Sequence, residues 1–168
     1  MLLPLLLAAT FAADAAPAAN PLAPLDFLVG HCWAGEMSGG SVDTHCFEPM
    51  FGGKFVRDRH NVKGPKGDYA GESIYAWDPG QKRIVYWYWG AGGEIDQGVV
   101  LPRANGFDFP ERHLTSPPDL SMRTRWQRNG EDAYDATNEQ KKGDGAWKLE
   151  WQVHYVRTAE KPADKAKP

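Results

Sequence analysis

No run of apolar residues in this sequence is long enough to cross a membrane as a helix. The most apolar stretch, at residues 2–11, is about half of the roughly 20 residues that such a helix needs. An alanine-rich segment follows it and contains small-x-small sites at residues 13–15 and 16–18. This order of segments is typical of a secretory signal peptide, although no Lys or Arg precedes the apolar stretch. We therefore expect residues 1–19 to be a signal peptide and linker. We also expect a periplasmic or secreted protein with no transmembrane segment in its mature chain.

Positive charge is not in excess either. The chain has 19 Lys and Arg residues against 22 Asp and Glu residues, a net charge of −3 and a pI near 5.9. The basic residues are scattered among acidic ones and do not form a patch. Such a distribution does not attract nucleic acid or an anionic lipid surface. We expect no nucleic-acid partner.

The sequence also lacks a long amphipathic helical segment. It consists of short segments that alternate apolar and polar residues and are separated by turns rich in Gly, Pro, Asn and Asp. We predict strands near residues 31–37, 42–48, 54–62, 69–77, 82–90, 94–100, 105–109, 120–127, 132–139 and 146–157. Residues 25–30 precede the first strand and could form a short helical turn that closes one end of the fold.

The clearest alternation lies at the C-terminal end of the chain. One face of the last predicted strand carries Trp147, Leu149, Trp151, Val153 and Tyr155. Only a strand with one buried side alternates in this way. About ten such strands with short turns and no edge protection favour closure. We predict an all-β fold, an antiparallel up-and-down closed barrel of lipocalin-like type over residues 25–157, with a β-sandwich as the alternative. Residues 158–168 are expected to be a disordered tail.

Only two cysteines are present, Cys32 and Cys46, and they flank the turn signal at residues 38–41. If the hairpin pivots at Gly39, the two cysteines lie directly opposite each other, within disulfide reach. A disulfide that closes a loop of this size stabilises a protein by about 3 kcal/mol. We predict that Cys32 and Cys46 form a disulfide.

Each cysteine follows a histidine, as in a Cys2His2 zinc site. Adjacent strand residues point to opposite faces, so His31 and His45 share one face and the cysteines share the other. This geometry disfavours a four-ligand site, and we predict no metal site. The two histidines are diagonal neighbours that could share a metal or haem contact, but we favour hydrogen bonding near the barrel mouth.

Four segments carry a resemblance to a known group of barrels. Residues 28–36 (LVGHCWAGE) contain a Gly-x-x-Trp-x-Gly opening, and FEPMFGG, YAGE and IYAWD follow at residues 47–53, 69–72 and 74–78. Residues 25–110 thus resemble calycin-like barrels, which include lipocalins, fatty-acid-binding proteins and nitrobindin-like haem proteins, in an uncharacterised exported bacterial branch. The resemblance implies a barrel fold and a haem-ligating histidine late in the chain, where His154 lies. Because the alternation points His154 outward, we expect no cofactor, with haem as the alternative.

Hairpin geometry predicts which side chains line the barrel interior. Pivoting the hairpin at the Pro65-Lys66 turn pairs Arg59 with Glu72 on the outer face, and the mainly apolar face is assigned inward. The predicted ligand-binding residues are Trp33, His45, Val56, Asp58, His60, Tyr69, Ser73, Tyr75, Trp77, Tyr86 and Tyr88. Such a lining suits a small apolar or lipid-like ligand with one polar end.

Two alternatives to a binding protein stay open. Asp58, His60 and Ser73 share one wall and are the residue types of a hydrolytic triad, but no nucleophile elbow surrounds Ser73. We therefore predict no catalytic residue and favour a binder over a small hydrolase-like or metal-dependent enzyme. Val85, Trp87 and Trp89 are predicted to face outward, where they would form a homodimer or another protein contact unless a bulge near Gly90 shifts the register.

Overall fold

The computed structural model describes residues 20–113 and 118–159. The predicted signal peptide and the residues of the predicted tail from 160 onward lie outside the described residues. The first residue of the predicted tail, Thr158, is among the described residues, and its backbone N–H donates a hydrogen bond of 2.9 Å to the carbonyl of Cys32. No helix among the described residues has the length and apolar character needed to span a membrane.

Ten strands form in the order that the turn signals predict. A short 3-10 helix, Ala23–Leu25, precedes them. The strands are β1 (Cys32–Met37), β2 (Ser41–Met50), β3 (Phe55–Lys63), β4 (Tyr69–Asp78), β5 (Arg83–Gly90), β6 (Ile95–Arg103), β7 (Gly106–His113), β8 (Leu120–Arg128), β9 (Ala133–Lys142) and β10 (Lys148–Arg157).

Every strand pairs antiparallel with its neighbours in the chain, and β1 pairs with β10 to close the sheet. Gly35 lies at this seam, opposite Tyr155. A Cβ atom at Gly35 would collide with the Val153 side chain and the backbone of His154, so glycine allows the two strands to approach. The predicted closed up-and-down barrel is confirmed and the β-sandwich alternative is wrong, because closure leaves no sheet edge unpaired.

The register of the first hairpin is also confirmed. Cys32 lies opposite Cys46, and the two form a disulfide. Arg59 lies opposite Glu72 as predicted. This pairing also predicts an ion pair between the two side chains, which the structure does not show. Arg59 contacts Glu48 instead, and Glu72 contacts Arg57.

Two details of register differ from the sequence-based expectation. The predicted turn after β4 would place Trp77 opposite Lys82, but in the structure Trp77 lies opposite Ile84. The register is shifted by two residues, so each side chain stays on its predicted face of the sheet. In β10, an irregularity between Leu149 and Trp151 shifts the alternation by one residue. Leu149 is therefore 61% exposed, and only Trp151, Val153 and Tyr155 keep the predicted inward direction.

The segment before β1 closes one end of the barrel, as the sequence suggests. Leu22, Leu25 and Leu28 are buried in the same cluster as the barrel interior. The ring of Phe27 lies 6.2 Å from that of Trp33 and 6.3 Å from that of Phe107. We call this the closed end, and the opposite end, which contains the β5–β6 turn, the open end.

Candidate functional site

A cavity of about 760 Å³ occupies the barrel interior toward the open end. Its mouth includes exposed residues of the β5–β6 turn and of the start of β6, among them Glu94 and Ile95. Its walls are mainly aromatic and include Tyr75, Tyr86, Tyr88, Phe109, Trp126, Trp151 and Tyr155. Its floor carries polar side chains, namely Asp43, His45, Asp58, His60 and Ser73.

His45 lies at the centre of this floor between two carboxylates. Its Nδ1 atom is 2.9 and 3.0 Å from the two oxygens of Asp58, and its Nε2 atom is 3.2 Å from Oδ2 of Asp43. Asp43 and His45 are two residues apart on β2 and therefore share the inner face. The three residues are 3–6% exposed. Such a cluster places an imidazole and two carboxylates together out of contact with bulk water.

The charges in the cluster determine its protonation. Burial alone would lower the pKa of His45, but the Asp58 and Asp43 carboxylates raise it to about 10. Burial alone would raise the pKa of Asp43, but the His45 imidazolium lowers it below its usual value. Burial and the nearby His45 charge both lower the pKa of His60. At neutral pH the floor thus holds an imidazolium between two carboxylates beside a neutral imidazole.

Two buried atoms of the floor have no hydrogen-bond partner among the described residues. They are Oδ1 of Asp43 and Nε2 of His60. The other carboxylate oxygen of Asp43 accepts hydrogen bonds from His45 and from the hydroxyl of Tyr155, which lies 2.8 Å away. Buried polar groups are normally paired, so unpaired atoms that face a cavity indicate a place where a bound species completes the pairing.

Aromatic rings surround the His45 imidazole. Phe47 stacks on it with 6.0 Å between ring centroids, and Trp126, Tyr155 and His60 meet it edge-on at 5.0–5.5 Å. His60 lies directly opposite His45 on the neighbouring strand β3. These contacts hold both imidazoles in place between the aromatic wall and the cavity.

The mouth is lined by a second polar group. Arg112 forms an ion pair with Asp96, and its guanidinium lies 5.9 Å from the centre of the Tyr86 ring. Gly98 lies opposite Tyr86, and a Cβ atom there would come within 2.8 Å of the ring. The glycine therefore makes room for the tyrosine to lie across its strand.

The structure brings most of the sequence-predicted lining residues to the cavity. Those that line it are His45, Asp58, His60, Ser73, Tyr75, Tyr86 and Tyr88. Trp33 and Val56 are instead buried in the apolar core, and Trp77 is partly exposed outside the cavity. Tyr69 lies near the mouth, where its hydroxyl bonds that of Tyr88. Trp33 differs because the segment before β1 fills the closed end, where Phe27 packs against the Trp33 ring. The role of the predicted residues in ligand binding stays a prediction.

The hydrolytic triad is not assembled. Asp58 pairs with His45, and His60 Nε2 makes no hydrogen bond within the described part of the chain. His31 also does not join His45 at the cavity but lies edge-on to Trp33, with 6.3 Å between ring centroids. The histidine that neighbours His45 is His60. His154 lies on the outer surface, where its Nδ1 atom is 2.6 Å from Asp135, and it does not line the cavity.

Sequence reasoning did not assign the cavity residues of the second half of the barrel. Met122, Thr124 and Trp126 on β8 and Tyr155 on β10 all line it. The alternation of apolar residues on these two strands was the available signal. Asp43 is two residues from His45 on β2 and therefore also points inward. Its place in the polar floor depends on contacts across the barrel, such as that with Tyr155.

The outer face of β5 matches the predicted direction of its side chains. No irregularity interrupts the pairing of β5 with β4 or β6, so a bulge near Gly90 is excluded. Trp87 and Trp89 are 39% and 44% exposed, whereas Val85 is only 8% exposed. A homodimer contact through this face stays a prediction.

Comparison with known proteins leaves the family of the chain undetermined. No protein-family model and no curated protein matches it. Among solved structures it is similar to a de novo designed fluorescence-activating β-barrel, with 12% sequence identity and a TM-score of 0.40. The match covers 79% of this chain and 95% of the designed chain.

Proposed function

We propose that the protein is exported and binds one small molecule with an apolar body and a single polar end inside the barrel. The observation that carries the proposal is the cavity, which is open at one end, aromatic along its walls and polar at its floor. A volume of about 760 Å³ is within the range of small-molecule sites in proteins.

The walls favour an apolar or aromatic body. Phe109 and Trp126 form a continuous surface, with 5.4 Å between their ring centroids. Rings held this way offer large contact areas and little side-chain entropy to lose on binding. The closed end leaves the mouth beside Glu94 and Ile95 as the entrance.

The floor favours a polar end on the ligand. Asp43 Oδ1 is a buried acceptor without a donor, and His60 Nε2 is a second buried atom without a partner among the described residues. A ligand group that hydrogen-bonds to these atoms removes the cost of leaving them unpaired. The polar floor would then determine which ligands bind, and the aromatic wall would supply most of the binding free energy.

The Cys32–Cys46 disulfide supports the export part of the proposal. Disulfides persist in oxidising compartments and are rare where thiols are kept reduced. Together with the expected signal peptide at residues 1–19, it favours the periplasm or the extracellular space.

A pair of variants tests the binding site. Met122 lines the cavity on β8, and Met122→Trp should fill part of it, whereas Gln127→Trp adds the same side chain to an exposed position of the same strand. We expect a neutral solvatochromic dye to show blue-shifted emission with the native protein and the Gln127→Trp variant. The Met122→Trp variant should weaken dye binding at least tenfold. Equal dye binding by all three proteins would contradict the proposal.

A further inference from the structure

Asp43, His45 and His60 present potential metal-ligating atoms toward a common point at the cavity floor. One carboxylate oxygen and two imidazole nitrogens lie within 4.8 Å of one another. We propose that these three side chains bind one divalent transition-metal ion, with Zn²⁺ as the first candidate, and leave a coordination position open toward the cavity. This proposal departs from the sequence-based expectation of no metal site and does not rest on the ligand-binding proposal. With the ion bound, the polar end of a ligand would take the open coordination position and would not bond directly to Asp43 and His60.

The spacing of the three atoms suits one ion after a small closure. Two ligands of a tetrahedral zinc ion, each at about 2.0–2.1 Å from the metal, are roughly 3.3 Å apart. The atoms at the floor must therefore approach by at most about 1.5 Å, which side-chain rotation provides. The backbone needs no movement because His45 and His60 are direct cross-strand neighbours and Asp43 is two residues from His45 on β2.

The floor also holds unpaired atoms that are available to a metal ion. Asp43 is 5% exposed, and its Oδ1 atom has no partner among the described residues. Nε2 of His60 has none either. One ion between them would satisfy both atoms at once, which a hydrogen bond to a single neighbouring side chain cannot do.

Outer contacts hold the proposed ligands in the required orientation. Both oxygens of Asp58 lie against Nδ1 of His45, so that nitrogen donates to the carboxylate and Nε2 faces Asp43. A carboxylate that accepts from the second nitrogen of a metal-bound histidine is a recurrent arrangement in zinc sites. The Tyr155 hydroxyl donates in the same way to Oδ2 of Asp43 and leaves Oδ1 available.

Charge and coordination number agree with a divalent ion. When Nε2 of His45 coordinates the ion, the imidazolium loses the proton on that nitrogen to solvent. Both imidazoles are then neutral, and a divalent cation balances the two negative charges of the buried Asp43 and Asp58 carboxylates. Three protein ligands and one open position are the arrangement of reactive zinc sites, in which the fourth position takes water or a ligand.

Metal titration of the full folded protein tests this proposal. After treatment with a chelator and its removal, isothermal titration calorimetry with zinc chloride should show one equivalent bound with a dissociation constant below about 1 µM. Native mass spectrometry should show the mass of one zinc ion. His60→Gln and Asp43→Asn should each weaken binding at least about 100-fold. His154→Ala removes a histidine that contacts an aspartate on the outer surface, and it should leave binding unchanged.

Further readouts separate loss of a ligand from loss of the fold. Near-ultraviolet circular dichroism should show that both floor variants keep native packing. Co²⁺ in place of Zn²⁺ should give visible ligand-field bands that disappear in folded His60→Gln protein. The proposal is overturned if native protein binds no zinc, if folded floor variants bind zinc as tightly as native protein, or if His154→Ala abolishes binding.

Discussion

The closed end and the open end of the barrel are built by the same ten strands but hold different kinds of side chain. At the closed end, Leu25, Leu28 and Trp33 pack with Phe107 in an apolar cluster. Toward the open end, the same inner face holds charged groups and buried atoms without partners. The difference shows that apolar packing stabilises one end of the barrel, whereas the polar groups suited to binding lie toward the other end.

A large loss of stability is expected when only one member of the polar floor is removed. In chelator-treated protein, His45→Leu leaves the carboxylates of Asp43 and Asp58 buried without their shared partner. We expect the free energy of unfolding to fall by about 3–5 kcal/mol, measured by urea denaturation. The triple variant His45→Leu, Asp43→Asn, Asp58→Asn should recover more than half of that loss. If the triple variant loses more than the single one, the carboxylates are not the cause.

Packing at the closed end is tested by Trp33→Ala. This side chain is fully buried against Phe27 and Tyr134, so its removal should lower the free energy of unfolding by about 3–5 kcal/mol. Trp151→Ala, which shortens a partly buried cavity residue, should lower it by only about 1–2 kcal/mol. Equal losses at the two positions would remove the proposed contrast between the ends.

The disulfide is expected to contribute next. Replacing Cys32 and Cys46 by alanine should lower the free energy of unfolding by about 3 kcal/mol, because the unfolded chain regains the entropy of an open loop. The same loss should follow when native protein is unfolded under reducing conditions. Native protein whose unfolding midpoint does not change on complete reduction would contradict this expectation.

Alkaline pH is expected to destabilise both ends of the barrel. Burial raises the pKa of all six tyrosines, and the shift is large for Tyr134 at the closed end and for Tyr75 in the cavity wall. The folded chain therefore keeps phenol protons that the unfolded chain releases near pH 10. Stability should be unaffected by these groups below about pH 9 and should fall as the pH rises above 10. Ultraviolet titration should show Tyr69 ionising first and Tyr134 only on unfolding, and early ionisation of most tyrosines in folded protein would contradict this.

The sequence predicts the architecture well because strands and turns leave local patterns. Period-two alternation and Gly-rich turns locate all ten strands, and the symmetric turn at residues 38–41 is sufficient to place Cys32 opposite Cys46. A register error of an even number of residues, as at Trp77, does not change which side chains face inward. For this reason much of the cavity wall is predictable from β3, β4 and β5 alone.

The polar floor is not predictable in the same way. The pairing of His45 with His60 depends on the turn between β2 and β3, where Phe51 adopts a positive φ of 49° that the residue type does not indicate. The contact between Asp43 and Tyr155 joins residues far apart in sequence at the closing side of the barrel. A one-residue irregularity likewise turns Leu149 outward against its alternation. These features are a turn conformation, a contact across the barrel and a strand irregularity, and none of them leaves a recognisable pattern in the sequence.

Native mass spectrometry of the protein, isolated unreduced from the envelope of its own host, tests the central claim most directly. The account predicts a chain with an intact Cys32–Cys46 disulfide and one retained small molecule, which is released by denaturation and is lost in the Met122→Trp variant but not in Gln127→Trp. Protein found with free thiols, with no retained molecule, and with no dye binding after refolding would contradict an exported binder.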